Sequence, residues 1–131
     1  MWVLDASIIL EVLLKTPIGI RHADRVLQAD DSLHAPHLVD VEVAQVLRRL
    51  TLAGEISSER AGEALQNLAD LPLVRHEHMP LLARIWQLRT LVTAYDAAYL
   101  ALAEGLPARL LTCDSKLSHA HGHRANVDLL S

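Results

Sequence analysis

The sequence predicts an α/β fold, a central parallel sheet with helices on both faces. Short apolar runs alternate with amphipathic stretches along the chain, as in a repeated β-α pattern. Pro, Gly and small hydroxyl residues punctuate the boundaries between them. Two of the runs, in MWVLDAS and RLLTCDSK, end alike: an apolar strand, an acid just past it, then a small hydroxyl residue.

Taken in order, Trp2–Leu4 reads as a short strand. Ser7–Leu14 reads as a helix, with Ile8, Ile9, Val12 and Leu13 at helical spacing. Pro17 and Gly19 break that pattern, and a second helix is expected over His22–Gln28. Ser32–Ala35 is a weak strand. Pro36 then opens a long helix, Leu38–Leu52, which Gly54 ends. Ser57 caps the next helix, through Leu68. Leu73–Arg75 is a short strand. Pro80 opens a helix to Leu91, and Thr93 starts another that ends at Gly105. Arg109–Thr112 is the clearest strand after the first. A short helix over Ser115–Ala120 and a strand over Asn126–Leu129 complete the order. The 131 residues are expected to form one domain, without linker, repeat or low-complexity segment.

Composition narrows the function. Hydrophobic residues make up 51% of the chain but Phe is absent, so the core must be aliphatic. The longest apolar stretch, Ile8–Leu14, is interrupted by Glu11, and no bilayer span or signal peptide is expected. One cysteine, Cys113, excludes an internal disulfide framework and fits a cytoplasmic protein. The net charge of −4 alone argues against a nucleic-acid partner.

The placement of the acids changes that. In open α/β sheets ligands bind beyond the carboxyl ends of the strands. Asp5 and Asp114 both stand there, although each could simply cap the helix that follows. On the helix in VDVEVAQVLRR, Val39, Val43, Val46, Leu47 and Leu50 form one apolar arc at 100° per residue. Glu42 borders the arc on one side and Asp40 on the other, so helix geometry does not choose between them. Asp96, in TAYDAAYLALAEG, is the fourth acid; with Thr93 it also fits the S/T-x-x-[DE] capping box.

Four pieces, VLDAS, EVAQVLRR, TAYDAAYLALAE and LLTCDSKL, together resemble the PIN domain family, and more narrowly its VapC-type toxin ribonucleases, in order and spacing over nearly the whole chain. The resemblance implies a three-layer α/β/α fold and an Mg²⁺-dependent (alternatively Mn²⁺-dependent) endoribonuclease, the toxin of a type II toxin-antitoxin system. It implies that Asp5, Glu42, Asp96 and Asp114 form the catalytic metal site, choosing Glu42 over Asp40. Ser7 and Thr112 match positions that carry a small hydroxyl near the site, and Ser115 is a further supporting candidate. An RNA substrate, a cognate antitoxin and a homodimer are the implied partners. Gln45 stands where many members have Asn, a residue that often supports the acids; no acid follows Asp114 in the next helix, a departure that bears on whether a second ion binds.

The chemistry explains the residue types. Phosphodiester hydrolysis needs charge stabilisation at the phosphoryl oxygens and a positioned water, both of which a hard divalent cation held by carboxylates provides. Two carboxylates about 4 Å apart repel by roughly 4 kcal/mol at an effective dielectric of 20. Four gathered acids must therefore bind a cation or hold protons. With those four set aside, the remaining 12 acids balance the 12 Lys and Arg. Arg21, Arg25, Arg48, Arg49 and Lys116 are candidate RNA contacts, though each is as readily a solvated surface charge. HAHGH, His119–His123, is read as a polar surface turn, the other His residues as scattered, and Cys113 as a small buried hydrophobe. Rival functions are a PIN-like RNA- or partner-binding module without nuclease activity, and a phospho-accepting receiver module. The second would need paired acids after the first strand, where Asp5 stands alone.

Overall fold

The computed structural model describes residues 1–27 and 31–131. Among these, five strands form one all-parallel sheet: β1 (Trp2–Leu4), β2 (Leu33–Pro36), β3 (Leu73–His76), β4 (Arg109–Thr112) and β5 (Asn126–Leu129), in spatial order β3-β2-β1-β4-β5. The helices are α1 (Ala6–Leu13), α2 (Pro17–Leu27), α3 (Leu38–Leu52), α4 (Ser58–Asp70), α5 (Leu82–Gln87), α6 (Ala94–Gly105) and α7 (Ser115–Ser118), with a 3₁₀ turn at Met79–Leu81.

The chain steps outward from β1 to β2 to β3, then returns across β1 to β4 and β5. Right-handed crossovers place the helices before β3 on one face and those after it on the other. The order reverses between β1 and β4, where a ligand crevice belongs in such a sheet. β1 is the central strand, with Val3 and Leu4 fully buried, and its register sets Val3 beside Leu110 of β4 and His34 of β2. α6 lies across β1, β2 and β4. Its run Ala97–Ala103 is buried all round, so the small side chains let the helix sit close to the sheet. The core is aliphatic as composition requires, except that its largest fully buried side chain is Tyr99.

Three boundaries differ from expectation. Pro36 does not open α3: it ends β2, and His37 precedes the helix. α1 does end before Pro17, but Pro17 and Gly19 do not lie between helices: both are inside α2, which starts at Pro17 and not at His22. The Thr16 hydroxyl accepts from the Gly19 N–H at 3.1 Å, and a proline in the first helical position gives up no hydrogen bond. Gly19 is there for closeness: a Cβ would come within 1.8 Å of the Glu11 carbonyl oxygen on α1. The predicted end of this helix at Gln28 lies outside the described residues. The helix expected over Pro80–Leu91 is instead the 3₁₀ turn running into α5, which ends at Gln87; the chain leaves helical geometry before Thr93, extended at ψ 159, caps α6. Among the described residues no helix is long and apolar enough to cross a membrane.

Candidate metal centre

A cleft of about 710 Å³ opens over the carboxyl ends of β1 and β4, and Asp5, Glu42, Asp96 and Asp114 all line it. Each arrives from a different element for a local reason. Asp5 follows β1 in extended conformation and caps α1, accepting from the Ile8 N–H at 3.2 Å. Asp114 caps α7, accepting from the Lys116 N–H at 2.9 Å. Thr93 caps α6 through the Asp96 N–H at 3.2 Å, which fixes the first turn and sets Asp96 at the cleft. Capping and site formation are thus carried by the same residues.

α3 resolves the choice that its helix geometry left open. Asp40 is held by both arms of Arg75, at 2.7 and 2.9 Å, on the side toward β3. Glu42 faces the cleft and accepts from the Tyr99 hydroxyl at 2.5 Å.

A hydroxyl scaffold lies under Asp5, which is 5% exposed. The Ser7 hydroxyl donates to one Asp5 oxygen at 2.6 Å and accepts from the Cys113 N–H at 2.9 Å. The Thr112 hydroxyl donates to the other oxygen and accepts from the Asp114 N–H at 2.9 Å. Ser7 and Thr112 thus stitch β1 to β4 and give each Asp5 oxygen a hydroxyl donor. Ser115 differs: it is exposed at the start of α7, outside the cleft lining.

The electrostatics show what the cleft lacks. Burial pushes the Asp5 carboxyl above its ordinary range against its three hydrogen bonds, and the Asp114 charge adds to the shift. Burial likewise raises Glu42, with the charges of Asp96 and Asp5 adding. It raises Asp96 as well, with Asp114 adding and Lys116 opposing. Among the described residues none of the four carboxylates forms an ion pair with Arg or Lys. Four hard oxygen donors gathered without a countercharge fit a divalent cation of the Mg²⁺ or Mn²⁺ type. As the side chains stand, no three His, Cys, Asp or Glu among the described residues are arranged to surround an ion.

The other candidates fall elsewhere. Arg25 pairs with Asp128 and Arg21 bonds the Ser131 carbonyl, so both tie α2 to the C-terminal segment. Arg49 lines the cleft. His123 bridges its own turn, Nε2 donating to the Ala120 carbonyl at 3.0 Å and Nδ1 accepting from the Ala125 N–H at 3.1 Å, which occupies both ring nitrogens. Cys113 is half-buried, and burial with the charges of Asp5 and Glu11 pushes its thiol up to about 11, far from a thiolate nucleophile. The histidines are not scattered. His34 Nδ1 and His76 Nε2 share a hydrogen bond at 2.8 Å, and His37 packs edge-on to His78, because β2 and β3 pair in register. Sequence reasoning missed Tyr99; the available signal was its place three residues after Asp96, on the same helix face.

An open parallel sheet with a carboxylate cleft at its reversal point defines a class of acid-lined α/β proteins whose cleft suits a divalent cation. Residues 2–122 match the PIN domain, and the chain belongs to that family. It is 40% identical to ribonuclease VapC12 of Mycobacterium tuberculosis over 131 residues, all of both chains. It is 48% identical to ribonuclease VapC1 of the same organism over 98 residues, 74% of each. Its fold is similar to that of a chain in VapBC2 from Rickettsia felis bound to a DNA fragment from their promoter, with a TM-score of 0.71 at 13% identity over 99% of this chain and 98% of that one.

Proposed function

We propose that this PIN domain is a VapC-type endoribonuclease toxin whose Asp5, Glu42, Asp96 and Asp114 hold Mg²⁺, with Mn²⁺ as a substitute. One observation carries the reading: four acids from four elements line one cleft without a cationic partner among the described residues, while Asp40 and Glu104, on the same helices as Glu42 and Asp96, are each paired with Arg. The ion, when bound, supplies positive charge at the phosphoryl oxygens and makes water more acidic. The chain's own residues do the rest. Asp5, buried and braced by Ser7 and Thr112, is the fixed ligand. Glu42 and Asp96 enter from the helices on either side of it. Lys116 sets its charge near Asp96, and Arg49 stands at the cleft to meet a phosphate of the RNA strand.

The relatives named ribonucleases support RNA as substrate, and the VapBC2 assembly supports a cognate antitoxin as partner. Homodimerisation and a cytoplasmic site of action, the latter supported by the lone reduced cysteine, belong to the same proposal. Incubation with total RNA tests it. Cleavage in Mg²⁺ that EDTA stops and Asp5→Asn removes is the expected result; undiminished cleavage by Asp5→Asn would reject the assigned site.

A further inference from the structure

We propose that Tyr99 is a positioning residue of the metal centre: its hydroxyl holds one oxygen of Glu42 and turns the other toward the ion, making Glu42 a one-oxygen ligand. The inference rests on the metal-site reading above and deepens it.

The geometry shows why such a brace is needed. Asp5 and Asp114 sit at helix starts, where each is oriented by an otherwise unpartnered backbone N–H of its own helix. Glu42 lies a full turn inside α3, where the backbone N–H groups are used by the helix itself. A donor for Glu42 must come from another element, and α6 supplies it. Asp96 and Tyr99 are three residues apart on α6, so one helix face delivers a ligand and the brace for the ligand of a neighbouring helix.

Tyr99 is built for that task. The rest of the fully buried core is aliphatic, and Tyr99 stands in it at 2% exposure. A leucine or phenylalanine would fill the space; only the hydroxyl explains a tyrosine there. The ring is almost wholly buried at the wall of the cleft, so the core fixes where the oxygen stands. The contact is 2.5 Å, the length expected when a neutral hydroxyl meets an ionised carboxylate. Burial and the neighbouring Glu42 and Asp5 charges keep the phenol protonated, so it acts only as a donor here. Fixing Glu42 before the ion arrives removes rotamer freedom that binding would otherwise have to freeze.

The test is a titration of RNA-free protein with Mn²⁺, followed by calorimetry and by the electron paramagnetic resonance of free Mn²⁺. Wild type, Tyr99→Phe, Glu42→Gln and the double variant are compared, with the metal-free Tm of each as the control for folding. Tyr99→Phe keeps the ring and is expected to hold the metal-free Tm near that of wild type while raising the Mn²⁺ Kd about tenfold, the range for a residue that orients a ligand. In the Glu42→Gln background the same change should cost less than about twofold, because it acts through Glu42. A Mn²⁺ Kd for Tyr99→Phe within twofold of wild type would overturn the proposal, as would an undiminished loss in the Glu42→Gln background. Failure of the underlying reading looks different: Glu42→Gln would then bind Mn²⁺ as wild type does, and Glu42 and Tyr99 would leave the site together.

Discussion

α6 carries an acid near each end, and the two have opposite fates. Glu104 has a side chain only 6% exposed and accepts from both arms of Arg84, at 2.8 and 3.1 Å, and from the Arg124 N–H at 2.7 Å. Those partners hold its carboxyl below the ordinary range. Asp96, at the other end, is pushed up by burial and by Asp114. α3 repeats the contrast with Asp40 on Arg75 and Glu42 paired with no cation among the described residues. The protein thus pairs guanidinium groups with acids whose work is structural, whereas among the described residues none pairs with a cleft acid, although Arg49 lines the cleft. A carboxylate that is buried, crowded and left without a cation is held ready for a ligand that brings one.

The largest expected effect separates the two groups by activity. Asp5→Asn or Asp114→Asn should lower Mg²⁺-dependent RNA cleavage more than about a hundredfold, the upper range for a residue that only orients a ligand. Asp40→Asn should stay within a few-fold of wild type. Gel-based cleavage rates on one oligoribonucleotide make the comparison.

Stability should show the reverse pattern. Arg84→Ala takes the two guanidinium hydrogen bonds from Glu104, leaving it only Arg124, and should cost about 2 kcal/mol, a fall of roughly 6 to 10 °C in Tm, with cleavage per folded molecule retained. Asp96→Asn removes a repelled charge and should raise the metal-free Tm by roughly 2 to 4 °C while shrinking the rise in Tm that Mg²⁺ gives wild type. Calorimetric scans in EDTA and in Mg²⁺ read both.

The acids and His34 should also split with pH. Folded-state pKa values of Asp5, Glu42 and Asp96 lie above their unfolded values. The stability they contribute is present in full below the unfolded values near 4 and is lost as pH rises through the raised folded ones. His34 runs the other way. Burial, His76 and the N-terminal charge lower its pKa, so its contribution is present above about 6.5 and lost as pH falls through the folded value. Mg²⁺ should flatten the first dependence and leave the second unchanged, the smallest effect in the series; urea midpoints from pH 5 to 8 with and without Mg²⁺ would show it.

What could be read in the sequence follows the range of the physics behind it. The strands, and the acids just past two of them, are local patterns, and Trp2–Leu4 and Arg109–Thr112 form as read. Asp5 and Asp114 reach one crevice because two similar runs pair in parallel. Asp40 against Glu42 was beyond helix periodicity, since the deciding partner, Arg75, lies 35 residues away on β3. Tyr99 was hidden for the same reason: its hydroxyl matters only once α3 and α6 flank β1. Pro17 and Gly19 looked like a break because both weaken helices in isolation; the first-turn role of Pro17 and the tight crossing of α1 at Gly19 are tertiary facts. The histidine pair needed the β2–β3 register before it existed at all.

The most direct test of the contrast between paired and unpaired acids is a crystal soaked in Mn²⁺ and read by anomalous scattering. The account predicts a peak in the cleft, with oxygens of Asp5, Glu42, Asp96 and Asp114 as its protein ligands. A cleft without a peak under conditions where the enzyme cleaves RNA, or a peak at Asp40 or Glu104 in its place, would contradict it.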